Sequence, residues 1–160
     1  MKLLFLIFLS FGLITASAQQ GVEAPVAEAG NDGYAWAGQR SFDKEKSYIV
    51  FRLWNEKSPL TDEEQKELES LSLQLSKKKV TLVTASFKDQ QDLTELFSKY
   101  QIDVTAIVEN GIRLRTNHSN YSISANTGFF IFEEKKPVSV CSGLKCIESI
   151  KKYFRLVAKA

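Results

Sequence analysis

The stretch Ser47-Tyr48-Ile49-Val50-Phe51-Arg52-Leu53-Trp54 decides how this chain is read. It is apolar and rich in β-branched and aromatic residues, the composition of a buried strand. Pro59 follows, and then Thr61-Asp62-Glu63-Glu64. Thr61 with Glu64 three residues later forms a capping box, so a helix should begin here. Leu68, Leu71 and Leu75 recur at helical spacing and give that helix one apolar stripe. Val80 to Phe87 (VTLVTASF) reads as the next strand. Asp92 to Tyr100 reads as a second helix, with Leu93, Leu96, Phe97 and Tyr100 on one face.

Further along, Val104 to Val108 reads as a strand and Glu109-Asn110-Gly111 as a turn, because Asn and Gly tolerate positive φ. Asn117 to Asn126 is polar and is expected to be irregular. Gly128 to Glu133 (GFFIFE) is a strong strand signal. Glu134-Lys135-Lys136-Pro137 breaks it, and Pro137 to Cys141 should pair back as a hairpin partner. Cys146 to Val157 closes the chain as a helix with Ile147, Ile150, Phe154 and Val157 facing inward. The order is β-α-β-α-β, then a hairpin, then α. Alternating strands and helices imply right-handed parallel crossovers. The expected class is α/β, a mixed central sheet with helices on both faces.

The N-terminal end carries different information. Lys2, an apolar run from Leu3 to Ile14 and the small residues Ala16-Ser17-Ala18 have the layout of a secretory signal peptide over 1–18. The run is too short for a spanning helix, which needs about 20 apolar residues. Residues 19–33, rich in Ala, Gly, Glu and Pro, read as a flexible leader, and 34–160 as one domain. No later segment reads as transmembrane. Tyr34, Trp36 and Phe42 are expected to cover a sheet edge. Lys and Arg number 21 against 19 Asp and Glu, with no basic patch of the kind a nucleic-acid binder presents. The expected location is periplasmic or secreted.

The element order, together with particular residues, resembles the thioredoxin superfamily. Phe51-Arg52-Leu53-Trp54 followed by Asn55-Glu56-Lys57-Ser58 looks like the strand and Trp-Cys-Gly-Pro-Cys motif of that family, with Trp54 at the Trp and Asn55 and Ser58 at the two cysteines. Tyr121 to Phe132 resembles the stretch that contains the cis-proline, with Thr127 in its place. Lys99-Tyr100-Gln101-Ile102 resembles the Lys-Tyr-Gly-Val that ends the second helix. The resemblance covers 46–157. The longer segment between Ile102 and Tyr121 is similar to the extracytoplasmic TlpA/ResA-like group.

What the resemblance implies is a fold without its usual chemistry. Dithiol exchange needs a thiolate and a second, resolving thiol, and Asn55 and Ser58 supply neither. The only cysteines are Cys141 and Cys146. They read as a structural disulfide in an exported chain, with a relocated redox pair as the alternative. Cys146 would then start a helix beside Lys145, which lowers a thiol pKa. No catalytic residue and no cofactor is indicated. A metal site is not indicated either, since no His or second Cys pair accompanies the two cysteines. His118 reads as a surface residue. Asn117-His118-Ser119 and Asn120-Tyr121-Ser122 match the glycosylation acceptor pattern, which matters only in a eukaryotic source. Three functions stay open: a non-catalytic module that binds a protein or peptide in the bacterial envelope, an oxidoreductase using Cys141 and Cys146, or a structural accessory domain.

Overall fold

The computed structural model describes residues 41–123, 125, 127–143 and 145–156, with the backbone alone of 26–29 and 34–36. The segment 1–18 read as a signal peptide, and Val157, therefore lie outside the described residues. The elements in chain order are β1 (Val26–Ala29), β2 (Tyr34–Trp36), β3 (Tyr48–Asn55), α1 (Asp62–Ser76), β4 (Val80–Phe87), α2 (Gln90–Lys99), β5 (Thr105–Val108), β6 (Ile112–Arg115), β7 (Asn120–Ile123), β8 (Thr127–Glu133), β9 (Lys136–Cys141) and α3 (Cys146–Tyr153). The protein is mixed α/β. One sheet has the order β2-β9-β8-β3-β4, the other β1-β7-β6-β5.

The apolar run from Tyr48 becomes the centre of the larger sheet. Here β3 pairs in parallel with β4 and antiparallel with β8, and β8 pairs antiparallel with β9. Being covered on both faces, β3 and β8 have no polar side to show, which is why both read as continuous apolar segments. On one face α1 and α3 bring Leu68, Leu71, Leu75, Ile150 and Phe154 against Val50, Phe129, Ile131 and Val138. On the other, Leu93 and Phe97 of α2 join Ile112, Leu114, Tyr121 and Ile123 of the smaller sheet over Phe51, Leu53, Phe130 and Phe132. Phe42 is half-buried and packs its ring 5.4 Å from those of Tyr48 and Phe154.

Helix α1 begins where the capping box places it. The Thr61 hydroxyl accepts from Glu64 N–H at 3.2 Å, and the Glu64 carboxylate accepts from Thr61 N–H at 2.8 Å. Thr61→Ala is expected to cost about 1 kcal/mol, read as a lower urea midpoint with an unchanged slope. A loss below a few tenths would show that α1 is held by its apolar face alone.

Helix α2 starts two residues before the expected Asp92, because Asp89 is the cap and accepts from Gln91 N–H and Asp92 N–H. Helix α3 stops at Tyr153, short of the expected Val157. There Arg155 takes a left-handed φ of 51°, and Leu156 N–H returns to the Lys151 carbonyl, a Schellman closure that ends a helix.

The segment from 112 to 126 departs most from expectation. Ile112–Arg115 and Asn120–Ile123 are strands of one hairpin, turned at Thr116, whose hydroxyl accepts from His118 N–H and Ser119 N–H. Polar residues hid a period-two signal: Ile112, Leu114, Tyr121 and Ile123 are buried, while Arg113 and Arg115 are exposed. Within the stretch read as a leader, Val26–Ala29 pairs in parallel with β7. Tyr34–Trp36 borders the larger sheet beside β9.

Candidate functional site

The positions singled out by the sequence gather at the C-terminal end of β3. Trp54 lies directly across from Thr127 of β8, and Asn55 pairs with Phe87 at the end of β4. After Asn55 the chain turns tightly. The Asn55 side-chain oxygen accepts from Lys57 N–H at 3.0 Å, and its carbonyl accepts from Ser58 N–H at 2.8 Å. This is an Asx-type turn, in which Asn side chains replace backbone partners. Ser58 and Pro59 are exposed, and α1 starts only at Asp62. Asn55 and Ser58 thus precede the helix and do not sit on its N-terminus.

Beneath them lies Arg52, which sequence reasoning missed. It is 8% exposed. Its guanidinium donates to the Thr127 hydroxyl and to the Leu53 carbonyl, stands 3.7 Å from the Glu64 carboxylate, and stacks 5.0 Å over the Phe129 ring. Burial pushes the guanidinium down from its ordinary value, and the Glu64 carboxylate opposes that shift. The group stays charged at any ordinary pH. Arg52 therefore joins three elements: β3, the start of β8 and, through Glu64, the first turn of α1. The signal was available, since a charge inside an apolar strand must find partners. The peptide bond into Thr127 starts at Asn126, outside the described residues. Next along β8, Gly128 is required for close approach. A Cβ there would stand 2.8 Å from the Cys141 carbonyl oxygen and press on Ile123 Cδ1.

Cys141 and Cys146 form a disulfide with Cα atoms 5.6 Å apart, within the range a relaxed bridge adopts. Gly143, at φ 92°, turns the chain between them. The two residues are 2% and 0% exposed, so neither sulfur offers the access that thiol exchange requires. The bridge ties the end of β9 to the start of α3, with Cys141 opposite Phe129 of β8.

His118 is exposed at the β6–β7 turn, on the rim of a cleft of about 690 Å³ that also takes in Thr116, Tyr121 and Lys136. Among the described residues no group of His, Cys, Asp and Glu is arranged to hold a metal ion. No helix among them is long and apolar enough to cross a membrane. Of the two glycosylation-type asparagines, Asn117 is exposed in the turn, and Asn120 is half-buried at the start of β7.

One other buried charge has structural consequences. Glu133 accepts from Tyr48 Oη at 2.8 Å and from Lys46 Nζ at 2.9 Å. The hydrogen bond and charge of Glu133 raise the Lys46 pKa above 10.5, and burial raises that of Tyr48 above 10.0. Both groups hold their protons more firmly folded than unfolded. The stability they contribute is therefore fully present below those ordinary values and is lost as pH rises through and beyond them. The melting temperature should fall steeply above about pH 10, and Tyr48→Phe should flatten that fall. An equally steep fall in the variant would place the alkaline transition elsewhere.

A second, smaller cleft of about 340 Å³ opens beside Trp54, between α1 and β4, with Leu60, Leu68, Leu82, Thr84 and Glu69 on its walls. It touches the Trp54 end of β3. Comparison of the chain with protein-family models, curated proteins and solved structures finds no match.

Proposed function

We propose that this chain is a thioredoxin-fold protein without thioredoxin chemistry, working as a protein- or peptide-binding module of the bacterial cell envelope. Support for the fold comes from the strand order β9-β8-β3-β4, with β3 and β4 parallel, α1 and α3 on one face and α2 on the other. That arrangement resembles the thioredoxin core. The observation that carries the functional reading is the fate of the positions that resemble the first redox cysteine and the cis-proline. Asn55 closes a turn with its own side chain, and Thr127 is committed to the buried Arg52. What remains at this end of the sheet is a shaped surface with a cleft of mixed apolar and polar lining beside it, suited to holding a chain and not to exchanging a disulfide.

A photo-crosslinking residue placed at Lys57, exposed in the turn, tests the reading in cells that export the protein. The expected result is a discrete adduct from that position and none from Leu73, which is exposed on α1. Equal labelling from both positions, or none from either, would sink the reading. As a companion measurement, Asn55→Cys with Ser58→Cys is expected to leave insulin reduction weak. The pair would lie in a turn ahead of α1, away from the helix terminus that stabilises a thiolate. Activity near that of ordinary thioredoxin would overturn the claim that this end has lost its catalytic geometry.

A further inference from the structure

We infer that β4 is a docking edge that takes up an extended peptide segment, apolar at its middle and acidic at the end that meets Lys77, Lys78 and Lys79, as an added strand. The inference rests on the binding-module reading and names the class of partner.

The edge is bare. β4 ends the larger sheet, and among the described residues no strand pairs with its outer side. Its phase is fixed by one bond: Glu56 N–H donates to the Phe87 carbonyl at 3.0 Å, with Asn55 opposite Phe87. In a strand a residue's N–H and C=O point to the same edge, and successive residues alternate. Thr81, Val83, Ala85 and Phe87 thus serve the ladder with β3, while Leu82, Thr84 and Ser86 turn their backbone groups outward. The strand VTLVTASF has no charge, no proline and no glycine within it. These are the devices that usually protect an edge from pairing.

Side chains supply selectivity in strand addition, and here they are of two kinds. Leu82 and Thr84, whose backbones face outward, also line the cleft with Trp54, Leu60 and Leu68. An added strand would lay alternate side chains over that apolar floor. At the start of β4 stand Lys77, Lys78 and Lys79, all exposed and none in an ion pair among the described residues. At its other end Lys88 stands beside Asp89 and Asp92, which cap the start of α2 and leave no excess of positive charge there. Glu69, on the cleft wall, disfavours a further acid over the middle of the strand. A cation cluster at one end and apolar side chains along the middle match an extended segment with acids at the end that meets Lys77, Lys78 and Lys79; a peptide with acids at both termini presents them there in either strand direction.

The test uses the full chain and a blocked peptide, Glu-Glu-Val-Leu-Val-Glu-Glu, with a control in which Lys replaces every Glu. The acidic peptide is expected to bind at least about tenfold more tightly than the control, with an affinity that falls as salt rises. The amides of Leu82, Thr84 and Ser86 should gain hydrogen-exchange protection on binding. Thr84→Pro removes an N–H that the ladder with β3 does not use, so the sheet is kept and the docking lost. Should that variant fail to fold, Lys77→Gln with Lys78→Gln and Lys79→Gln alters only exposed side chains and should weaken the acidic peptide at least about fivefold. Equal binding of the two peptides, or no binding, overturns the inference. So does protection of the same three amides without peptide, in a protein that sediments as a dimer, because a second copy would then own the edge. Crosslinking from Lys57 that persists in Thr84→Pro would also overturn it, while leaving the binding-module reading intact.

Discussion

Truncating Phe51 to alanine is expected to remove about 3–5 kcal/mol of stability, the largest loss from any single side chain considered. Phe51 is fully buried in β3, and its ring meets those of Phe97, Tyr100 and Phe132 at centroid distances of 5.1, 5.4 and 5.3 Å, all edge-on. Such aromatic pairs add to the area term. The neighbours belong to α2 and β8, so a void at 51 opens between the central strand and two elements that cannot collapse on it together. Phe51→Leu, which keeps most of the volume, should cost only about 1–2 kcal/mol. Urea denaturation of the pair checks this. A loss below about 1 kcal/mol for the alanine variant would mean that the face of the sheet under α2 is not the close-packed core described here.

Replacing Cys141 and Cys146 together by alanine is expected to cost about 2–4 kcal/mol. A six-residue loop gives about 2 kcal/mol by the chain-entropy argument, and the packing of two buried sulfurs supplies the remainder. The more telling measurement is on the natural protein. With both residues buried under Ile150 and Phe129 in the same apolar cluster, the disulfide should resist dithiothreitol under native conditions. Cys146 should be alkylated only as the protein unfolds. Structural bridges of this kind have potentials below about −300 mV. A midpoint well above that, together with rapid alkylation near neutral pH, would return the pair to redox chemistry and displace the binding-module reading.

Much of the larger sheet was legible because local signals agreed with the global arrangement. Val80–Phe87 is a strand with the bounds read from the sequence, and Thr61 and Glu64 marked the start of α1 without ambiguity. The smaller sheet was legible only in part, through the strand Thr105–Val108 and the turn at Asn110 and Gly111, where φ is positive. Its strands are four residues long, too short for a period to stand out from the polar turn at Asn117 and His118, and Val26–Ala29 finds its partner only across a long stretch of sequence. The site divided in the same way. Trp54, Asn55, Ser58 and Thr127 do converge at one end of β3. Of these only Thr127 is held by Arg52, whose partners Glu64, Thr127 and Phe129 come from two other elements. No local pattern announces an interaction assembled by tertiary structure. The cysteines were found by composition, but only their burial distinguishes a bridge from a reagent.

The position of β3 also sets an order of events during synthesis. Its parallel partner β4 follows it closely, so β3, α1 and β4 can assemble early. Its antiparallel partner arrives far later, with Tyr48 meeting a residue 85 positions further on. Until Glu133 has emerged, one edge of this largely apolar strand is unpaired, and closing so long a loop is slow in proportion to its contact order. The nascent chain thus carries an adhesive intermediate for most of its length. The later segment from β8 to α3 is what seals it.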